Sequence, residues 1–145
     1  MQIEETITTV SNGISGRLMA AASVVGIAGS SVMVAAYNPT DVHFFPVCPL
    51  YEMTGFACPG CGLTRGFHAL FHGDISTALG FNALLPIWAV IIAYVWVSLV
   101  VYAIRGKGLP MWPTNPAFLW TLMIVLLVFG VVRNIPAYPF TLLFP

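Results

Sequence analysis

The stretch FNALLPIWAVIIAYVWVSLVVYAI, residues 81–104, decides the fold class because its 24 residues include no charged side chain. An α-helix rises about 1.5 Å per residue, so about 20 apolar residues cross the roughly 30 Å of hydrocarbon in a bilayer. Pro86 lies near the start of the stretch, where the first helical amides lack partners in any case. Residues 81–104 therefore predict a transmembrane helix, span two.

Two further apolar runs predict spans on either side. Residues 18–37 carry no charge and form span one, and residues 116–135 form span three. Asn115 is a suitable N-cap and Pro116 suits the first helical position. Arg133 lies near the far end of span three, where it can snorkel to the interface. The predicted fold class is an all-α integral membrane protein with three transmembrane helices.

The overall composition agrees with a membrane protein. Hydrophobic residues make up 59% of the chain and charged residues 7%, whereas a soluble domain has about a quarter of its residues charged. Five basic and five acidic residues balance, and no basic run is available to bind a phosphate backbone. The expected partner is the lipid bilayer, and nucleic acid is excluded.

We expect one membrane domain over residues 1–145. The first 16 residues form a polar tail whose two glutamates argue against a cleaved signal peptide. Arg17, Arg105 and Lys107 place the N-terminus and the 105–115 loop in the cytoplasm by the positive-inside rule. The long motif loop, residues 38–80, then faces outward, and residues 136–145 form an apolar tail.

A stripe of small residues runs along span one. Ala22, Gly26 and Ser30 recur at every fourth position, a pattern that allows close approach between helices. Packing within the predicted three-helix bundle is the simpler interpretation, and homodimerisation is the alternative.

The motif loop contains a predicted half-helix. Pro59 and Gly60 favour a turn, residues 61–72 can form a helix that Gly73 ends, and Asp74 is a candidate N-cap for the next segment. The loop is apolar enough to be ordered at the interface or to re-enter the bundle.

Four reactive or charged side chains are spaced for one face of this half-helix. Cys61, Arg65, His68 and His72 lie four, three and four residues apart, so a helix places them in one stripe. Cys48 and Cys58 are close enough in sequence to fold back towards its start.

Three kinds of chemistry remain open for this cluster. A Cys58–Cys61 disulfide suits an outward, oxidising location, and the same pair at a helix N-terminus is suited to thiol redox work. Alternatively, Cys48, Cys58 and Cys61 with His68 or His72 supply a Cys₃His set for zinc. Hydrolysis by Cys61 with His68 as base is disfavoured, because two helical turns separate them.

Arg65 has two interpretations. It can bind an anionic headgroup or phosphate, although pairing with a carboxylate is favoured. The candidate carboxylates are Asp41, Glu52 and Asp74.

The string CPGCGLTR at 58–65 resembles the hallmark of an uncharacterised bacterial family of small membrane proteins, the domain-of-unknown-function 2752 type. A preceding Cys-Pro at 48–49, a Gly-Asp at 73–74 and Asn82 extend the resemblance. The resemblance implies a multi-span protein of the bacterial inner membrane, and it implies no established reaction. It carries Cys58, Cys61, Thr64 and Arg65 over as site residues. Our own assignment gives Thr64 and Arg65 a ligand-binding role.

Two function classes therefore remain open. The first is a non-catalytic membrane component or ligand-binding subunit whose loop is held by a disulfide or a zinc ion, working as a homo-oligomer or with another membrane subunit. The second is a membrane thiol-disulfide oxidoreductase that uses Cys58 and Cys61.

Overall fold

The computed structural model describes residues 2–42, 45, 48–110 and 116–143, leaving aside the side chains of 2–12 and 142. Within these ranges the chain is helical and has no strand. Six α-helices are followed by a short 3-10 helix at Phe140–Leu143; the α-helices are α1 (Gln2–Ala36), α2 (Pro49–Thr54), α3 (Leu63–Phe71), α4 (Ile75–Phe81), α5 (Leu85–Arg105) and α6 (Pro116–Val132). The fold class is thus all-α, as predicted.

Two of these helices are long and apolar enough to cross a membrane: Gly13–Ala36 within α1, and α5. In the α5 window none of the residues is buried by the rest of the chain, which differs from the core helix of a soluble protein. Such bare apolar surface is stable against lipid and indicates a membrane protein. The 17 residues of α6 extend about 25 Å, which is short for a full crossing.

The contacts divide the chain into two compact units, and the first contains Met1–Ser31 and Ala89–Trp112. In this unit Arg17 Nε donates to Ala103 O and Arg17 Nη2 to Ile104 O, each at 2.9 Å. Further along, Trp96 Nε1 donates to Val24 O at 3.3 Å. The beginning of one candidate span therefore lies beside the end of the other, and the two helices are antiparallel. Arg17 also supplies donors to carbonyls that the last turn of α5 leaves without helical partners.

The second unit contains Val32–Trp88 and Pro113–Pro145. Its apolar centre is where α3 packs on α4, with Ala69, Ala78 and Leu85 buried. Gly66 of α3 permits this approach, because a Cβ there would lie 2.6 Å from Leu85 Cδ1 and 3.2 Å from Ala78 O. These short helices carry the loop that holds the cysteines.

Several helix bounds differ from those predicted. Helix α1 begins at Gln2, so the predicted polar tail is helical; this segment has no proline, and extending an existing helix costs little. Span two begins at Leu85 and not at residue 81, because Asn82 is extended and interrupts the run. Helix α6 ends at Val132, because Arg133 and Asn134 turn away to bind the motif loop. The proposed cap Asn115 lies outside the described residues.

The motif half-helix is shorter than predicted. Helix α3 starts at Leu63, since Gly62 has φ +83° and leaves Cys61 in the preceding turn. At the other end Gly73 has φ +80°, and the Asp74 carboxylate accepts from the Thr77 N–H at 3.0 Å. The predicted glycine stop and aspartate N-cap are both confirmed.

The small-residue stripe of α1 packs against no other helix in the described chain. Ala22, Gly26 and Ser30 are exposed, and a Cβ on Gly26 would meet no described atom within 4 Å. The described residues of the first unit therefore place no neighbour against this stripe, and its packing within a bundle stays a prediction.

Candidate metal centre

A tight turn brings two of the cysteines together. Pro59 and Gly60 form its corner, and the Cys61 N–H donates to Cys58 O at 3.0 Å. The Cys58 N–H in turn donates to Cys61 Sγ at 3.2 Å. The two sulfur atoms lie 3.2 Å apart. The Cys-x-x-Cys spacing thus presents both thiols on one side of the turn.

The third thiol arrives from the start of α2. Cys48 directly precedes Pro49, the first residue of that helix, and its Sγ lies 3.3 Å from Cys58 Sγ. All three sulfur atoms are within 4.8 Å of one another, and all three cysteines are free thiols. The structure therefore joins the three cysteines singled out from the sequence into one cluster.

Cys48 and Cys61 differ in how readily their thiols ionise. Hydrogen bonding from the Tyr51 backbone N–H lowers the pKa of Cys48 to about 7. Burial raises the pKa of Cys61 to about 12, and Cys61 is only 9% exposed. Cys48 is accordingly the first of the pair to become a thiolate, the form that binds metals and attacks disulfides.

Two asparagines hold the backbone of the cysteine turn. Asn82 is 1% exposed, and its Nδ2 donates to Pro59 O at 2.9 Å and to Cys61 O at 3.1 Å. Asn134 makes a two-way amide pair with Ala57: Nδ2 donates to Ala57 O, and Oδ1 accepts from Ala57 N, each at 2.8 Å. The turn is therefore fixed by side chains from two distant parts of the sequence.

Arg133 completes this clamp. Its side chain is fully buried, and Nη1 donates to Cys58 O at 2.8 Å and to Cys61 O at 3.2 Å. The guanidinium carbon lies 5.0 Å from the centroid of the Phe129 ring. Within the described parts of the chain, Nε and Nη2 are buried without a hydrogen-bond partner. The expectation that Arg133 snorkels to the interface is wrong, because the cysteine turn gives its charge a set of carbonyl acceptors.

The cysteines open onto a cavity of about 520 Å³. Its lining includes the three cysteines and both residues of the predicted ligand-binding pair, Thr64 and Arg65. The Arg65 guanidinium lies over the Phe81 ring, 5.2 Å from its centroid. Among the residues that the structure describes, Arg65 forms no ion pair with Asp41, Glu52 or Asp74. Its charge is therefore not neutralised by any of the three carboxylates expected from the sequence.

The two histidines lie apart from the thiol cluster. His68 Nδ1 bonds with Val34 O at 2.7 Å, and His72 Nδ1 bonds with His68 O at 2.8 Å. Their ring centroids are 4.4 Å apart, so they form a pair of their own. In the described chain the group of ligand atoms around the sulfurs contains no histidine nitrogen. The expectation that Cys61, Arg65 and both histidines project from one helix face is wrong, because Gly62 places Cys61 in the turn.

The spacing of the sulfurs suits a metal ion. Thiolates on tetrahedral zinc, with bonds of about 2.3 Å, lie about 3.8 Å apart. Two of the observed sulfur–sulfur distances are 3.2 and 3.3 Å, and all three sulfurs lie within 4.8 Å of one another. Small rotations of the cysteine side chains would bring these distances to the value of a zinc site. A set of three soft sulfur donors suits zinc or another thiophilic ion.

Sequence reasoning missed Arg133 and Asn134 as parts of this site. The available signal was an arginine and an asparagine directly after a long apolar run, positions where polar groups within a membrane protein face a protein interior. Their partners at Ala57, Cys58 and Cys61 are more than 70 residues away in sequence, and no local pattern connects them.

Taken together, the fold and the site define an all-α chain with two helices long and apolar enough to cross a membrane and a buttressed three-cysteine cluster. Residues 48–96 match the model of a family described as Protein of unknown function (DUF2752), about a third of the chain, and this match confirms the predicted resemblance. Arg133 and Asn134 lie beyond the matched segment. No curated protein and no solved structure matches the chain.

Proposed function

We propose that this chain is a non-catalytic membrane component in which Cys48, Cys58 and Cys61 hold a zinc ion that fixes the motif loop. The observation that carries the proposal is the approach of the three sulfurs to within 4.8 Å of one another. Bound zinc converts the thiols to thiolates and joins the start of α2 to the turn before α3.

The cavity beside the cluster gives this component a ligand-binding role. Three protein ligands leave one tetrahedral position to a ligand that enters the cavity. Thr64 and Arg65 line the same cavity, and the Arg65 charge suits an anionic group. A small anion that binds the zinc and Arg65 together is the class of ligand we propose.

The proposed location is the bacterial cytoplasmic membrane, with the N-terminus inside and the motif loop outside. Arg17 at one end of the antiparallel pair and Arg105 at the end of α5 agree with this orientation, since both then face the cytoplasm. Association with a second copy or another membrane subunit through the exposed face of α1 belongs to the same proposal.

The metal content of purified protein tests the zinc site. We expect about one zinc per chain in detergent-solubilised protein, because structural thiolate sites bind zinc tightly at neutral pH. Replacing any one of the cysteines by serine, as in Cys58→Ser, should lose the metal, since a hydroxyl is a poor substitute for a thiolate.

His68→Ala and His72→Ala are the matched controls for this experiment. Because both rings bond elsewhere, these variants should keep the zinc of the unsubstituted protein. Loss of zinc in either variant would show that this histidine is a zinc ligand. Unsubstituted protein that contains no zinc would refute the zinc proposal.

A second candidate is thiol-disulfide exchange, which one feature favours. Cys58 Sγ lies 3.3 Å from Cys48 Sγ and 3.2 Å from Cys61 Sγ, so the central thiol can pair with either neighbour. Oxidation of Cys58 and Cys61 would form one S–S bond and pass two electrons and two protons to a disulfide of a partner protein, which would become a dithiol.

Alkylation followed by mass spectrometry distinguishes the two candidates. The zinc proposal predicts three thiols that are protected from alkylation until a chelator is added. The exchange candidate predicts a Cys58–Cys61 disulfide that appears and disappears as the thiol-disulfide potential of the buffer is varied.

A further inference from the structure

Arg133 has more hydrogen-bonding capacity than the cysteine turn uses. Its side chain is completely buried, yet among the described residues Nη1 alone has acceptors, the carbonyls of Cys58 and Cys61. Nε and Nη2 are buried without partners among the described residues. In the described part of the chain no carboxylate pairs with Arg133. A buried guanidinium without such a partner is costly, and leaving Nε and Nη2 unsatisfied adds to that cost.

The neighbouring cysteines can provide the missing negative charge. Three thiolates and one divalent ion carry a net charge of −1, which one guanidinium balances. A monovalent ion on the same thiolates leaves a net charge of −2, which Arg133 balances only in part, since the charge of Arg65 is matched by the anion proposed for the cavity. In a buried environment the neutral combination has the smallest desolvation cost.

We propose that Arg133 is the countercharge of the three-cysteine centre and sets its preference for a divalent thiophilic ion. This inference rests on the zinc site proposed above and deepens it by assigning a charge class to the metal. Arg133 contacts the backbone of two of the cysteine ligands and not the metal. It is therefore a positioning residue, whose charge acts on the thiolates.

A purely mechanical role for Arg133 is less well supported. Asn82 already binds Pro59 O and Cys61 O, and Asn134 already binds both polar groups of the Ala57 backbone. Gly130 of α6 also lies against the turn, since a Cβ there would be 3.1 Å from Pro59 Cγ. With this neutral clamp in place, a buried cation is not needed to hold the turn.

Zinc affinity in two Arg133 variants separates charge from hydrogen bonding. Arg133→Lys keeps the charge and loses the planar fork, whereas Arg133→Gln keeps an amide donor for the carbonyls and loses the charge. In competition with a chromophoric chelator, Arg133→Gln should bind zinc about 10- to 100-fold more weakly, the usual effect of losing a group that supports metal ligands. Arg133→Lys should keep most of the affinity.

Arg105→Gln is the control, because Arg105 is exposed at the end of α5 and lies far along the chain from the cysteines. The melting temperature of each zinc-free variant checks that its fold is intact. If Arg133→Gln is unfolded without zinc, Arg133→Met replaces it in the comparison, since its unbranched side chain fills similar space without charge. The rise in melting temperature on adding zinc then gives a second measure, which should be smaller in Arg133→Met than in Arg133→Lys.

Equal zinc affinity in the unsubstituted protein and the neutral variant would overturn the countercharge role. Equal losses in the lysine and glutamine variants would also overturn it, because they would show that the fork and not the charge is needed. Failure of the zinc site itself gives a different result, since the unsubstituted protein would then bind no zinc in the same assay.

Discussion

At the scale of single residues, the cysteine turn depends on amide and guanidinium groups rather than on apolar packing. Three side chains donate hydrogen bonds to the backbone carbonyls of the turn: Asn134 to Ala57, Arg133 to Cys58, and Asn82 to Pro59 and Cys61. Buried backbone carbonyls need hydrogen-bond donors, and in this chain, which has few polar side chains, these three residues provide them. The geometry of the thiols is therefore set by residues that are not themselves reactive.

Asn82→Ala should be clearly destabilising. The substitution removes two donors to buried carbonyls and the acceptor for the Leu84 N–H, which lies 2.9 Å from Asn82 Oδ1. We expect a loss of about 2 kcal/mol in the free energy of unfolding, measured by urea titration in detergent micelles. Asn38→Ala, at an exposed position, is the control and should change stability much less. Equal effects of the two substitutions would contradict a specific role for Asn82.

The sequence indicated the reactive residues of the site better than their supports. Cys58 and Cys61 are joined by a local turn, and the Cys-x-x-Cys pattern indicates it directly. Arg133 and Asn134 reach the turn only through tertiary structure, and from the sequence alone Arg133 resembles an ordinary interfacial arginine. The grouping of Cys61 with Arg65 and the histidines failed for a local reason, because the positive φ of Gly62 leaves Cys61 in the turn before α3.

At the scale of helices, the packing of α3 on α4 positions the cysteine turn. Gly66 faces Leu85 and the Ala78 carbonyl, and its missing side chain lets the two helices approach. Leu85 is 2% exposed and has little room to move aside. The contact is therefore sensitive to the addition of one methyl group.

Gly66→Ala should destabilise this unit by about 1–3 kcal/mol, the usual cost of overpacking a close contact. Gly80→Ala is the matched control, since a Cβ on that helical glycine meets nothing within 4 Å. The control should be neutral or stabilising, because alanine favours the helix more than glycine does. Thermal unfolding of both variants in micelles measures the difference, and the reverse order would contradict the described packing.

Helix α4 should gain stability from Asp74 in a pH-dependent way. Hydrogen bonds from Thr77 hold the pKa of the Asp74 carboxyl below its ordinary value of 3.8. The contribution is thus complete above the unfolded pKa and is lost as the pH falls through the lower folded value. The melting temperature of Asp74→Ala should lie below that of the unsubstituted protein at pH 7, and the gap should close in strongly acidic buffer. A gap that widens as the pH falls would contradict this assignment.

Local signals explain which helix ends were predicted. Gly73 and Asp74 act within one turn of the chain, and the sequence identified both. The start of α5 depends on Asn82, whose side chain binds a turn more than 20 residues away, so the uninterrupted apolar run concealed the break.

At the scale of the whole molecule, the lengths of two helices and the small buried share of their apolar windows, 6% and 0%, indicate a membrane protein. Arg17 and Trp96 give direct evidence that these helices are antiparallel. The composition predicted the class of protein, since the length of an apolar run decides whether a helix can cross a bilayer. It did not predict that α6 would end early, because that depends on where Arg133 and Asn134 find partners.

Labelling of introduced cysteines tests the proposed orientation. Met53→Cys lies in the motif loop at a position that is 84% exposed, and Lys107→Cys follows α5. In intact cells stripped of their outer layers, a membrane-impermeant maleimide should label Met53→Cys above the background of the unsubstituted chain. It should label Lys107→Cys only after permeabilisation, and the opposite pattern would invert the topology.

The reach from Arg133 and Asn134 back to residues 57–61 has a consequence for biosynthesis. A ribosome delivers the cysteine turn long before it delivers the two side chains that clamp it. During that interval the cysteine turn lacks these two side chains, and its thiols are accessible to oxidants and to other metal ions. Under the zinc proposal, the ions available when the last helix emerges then decide which metal the cluster takes up.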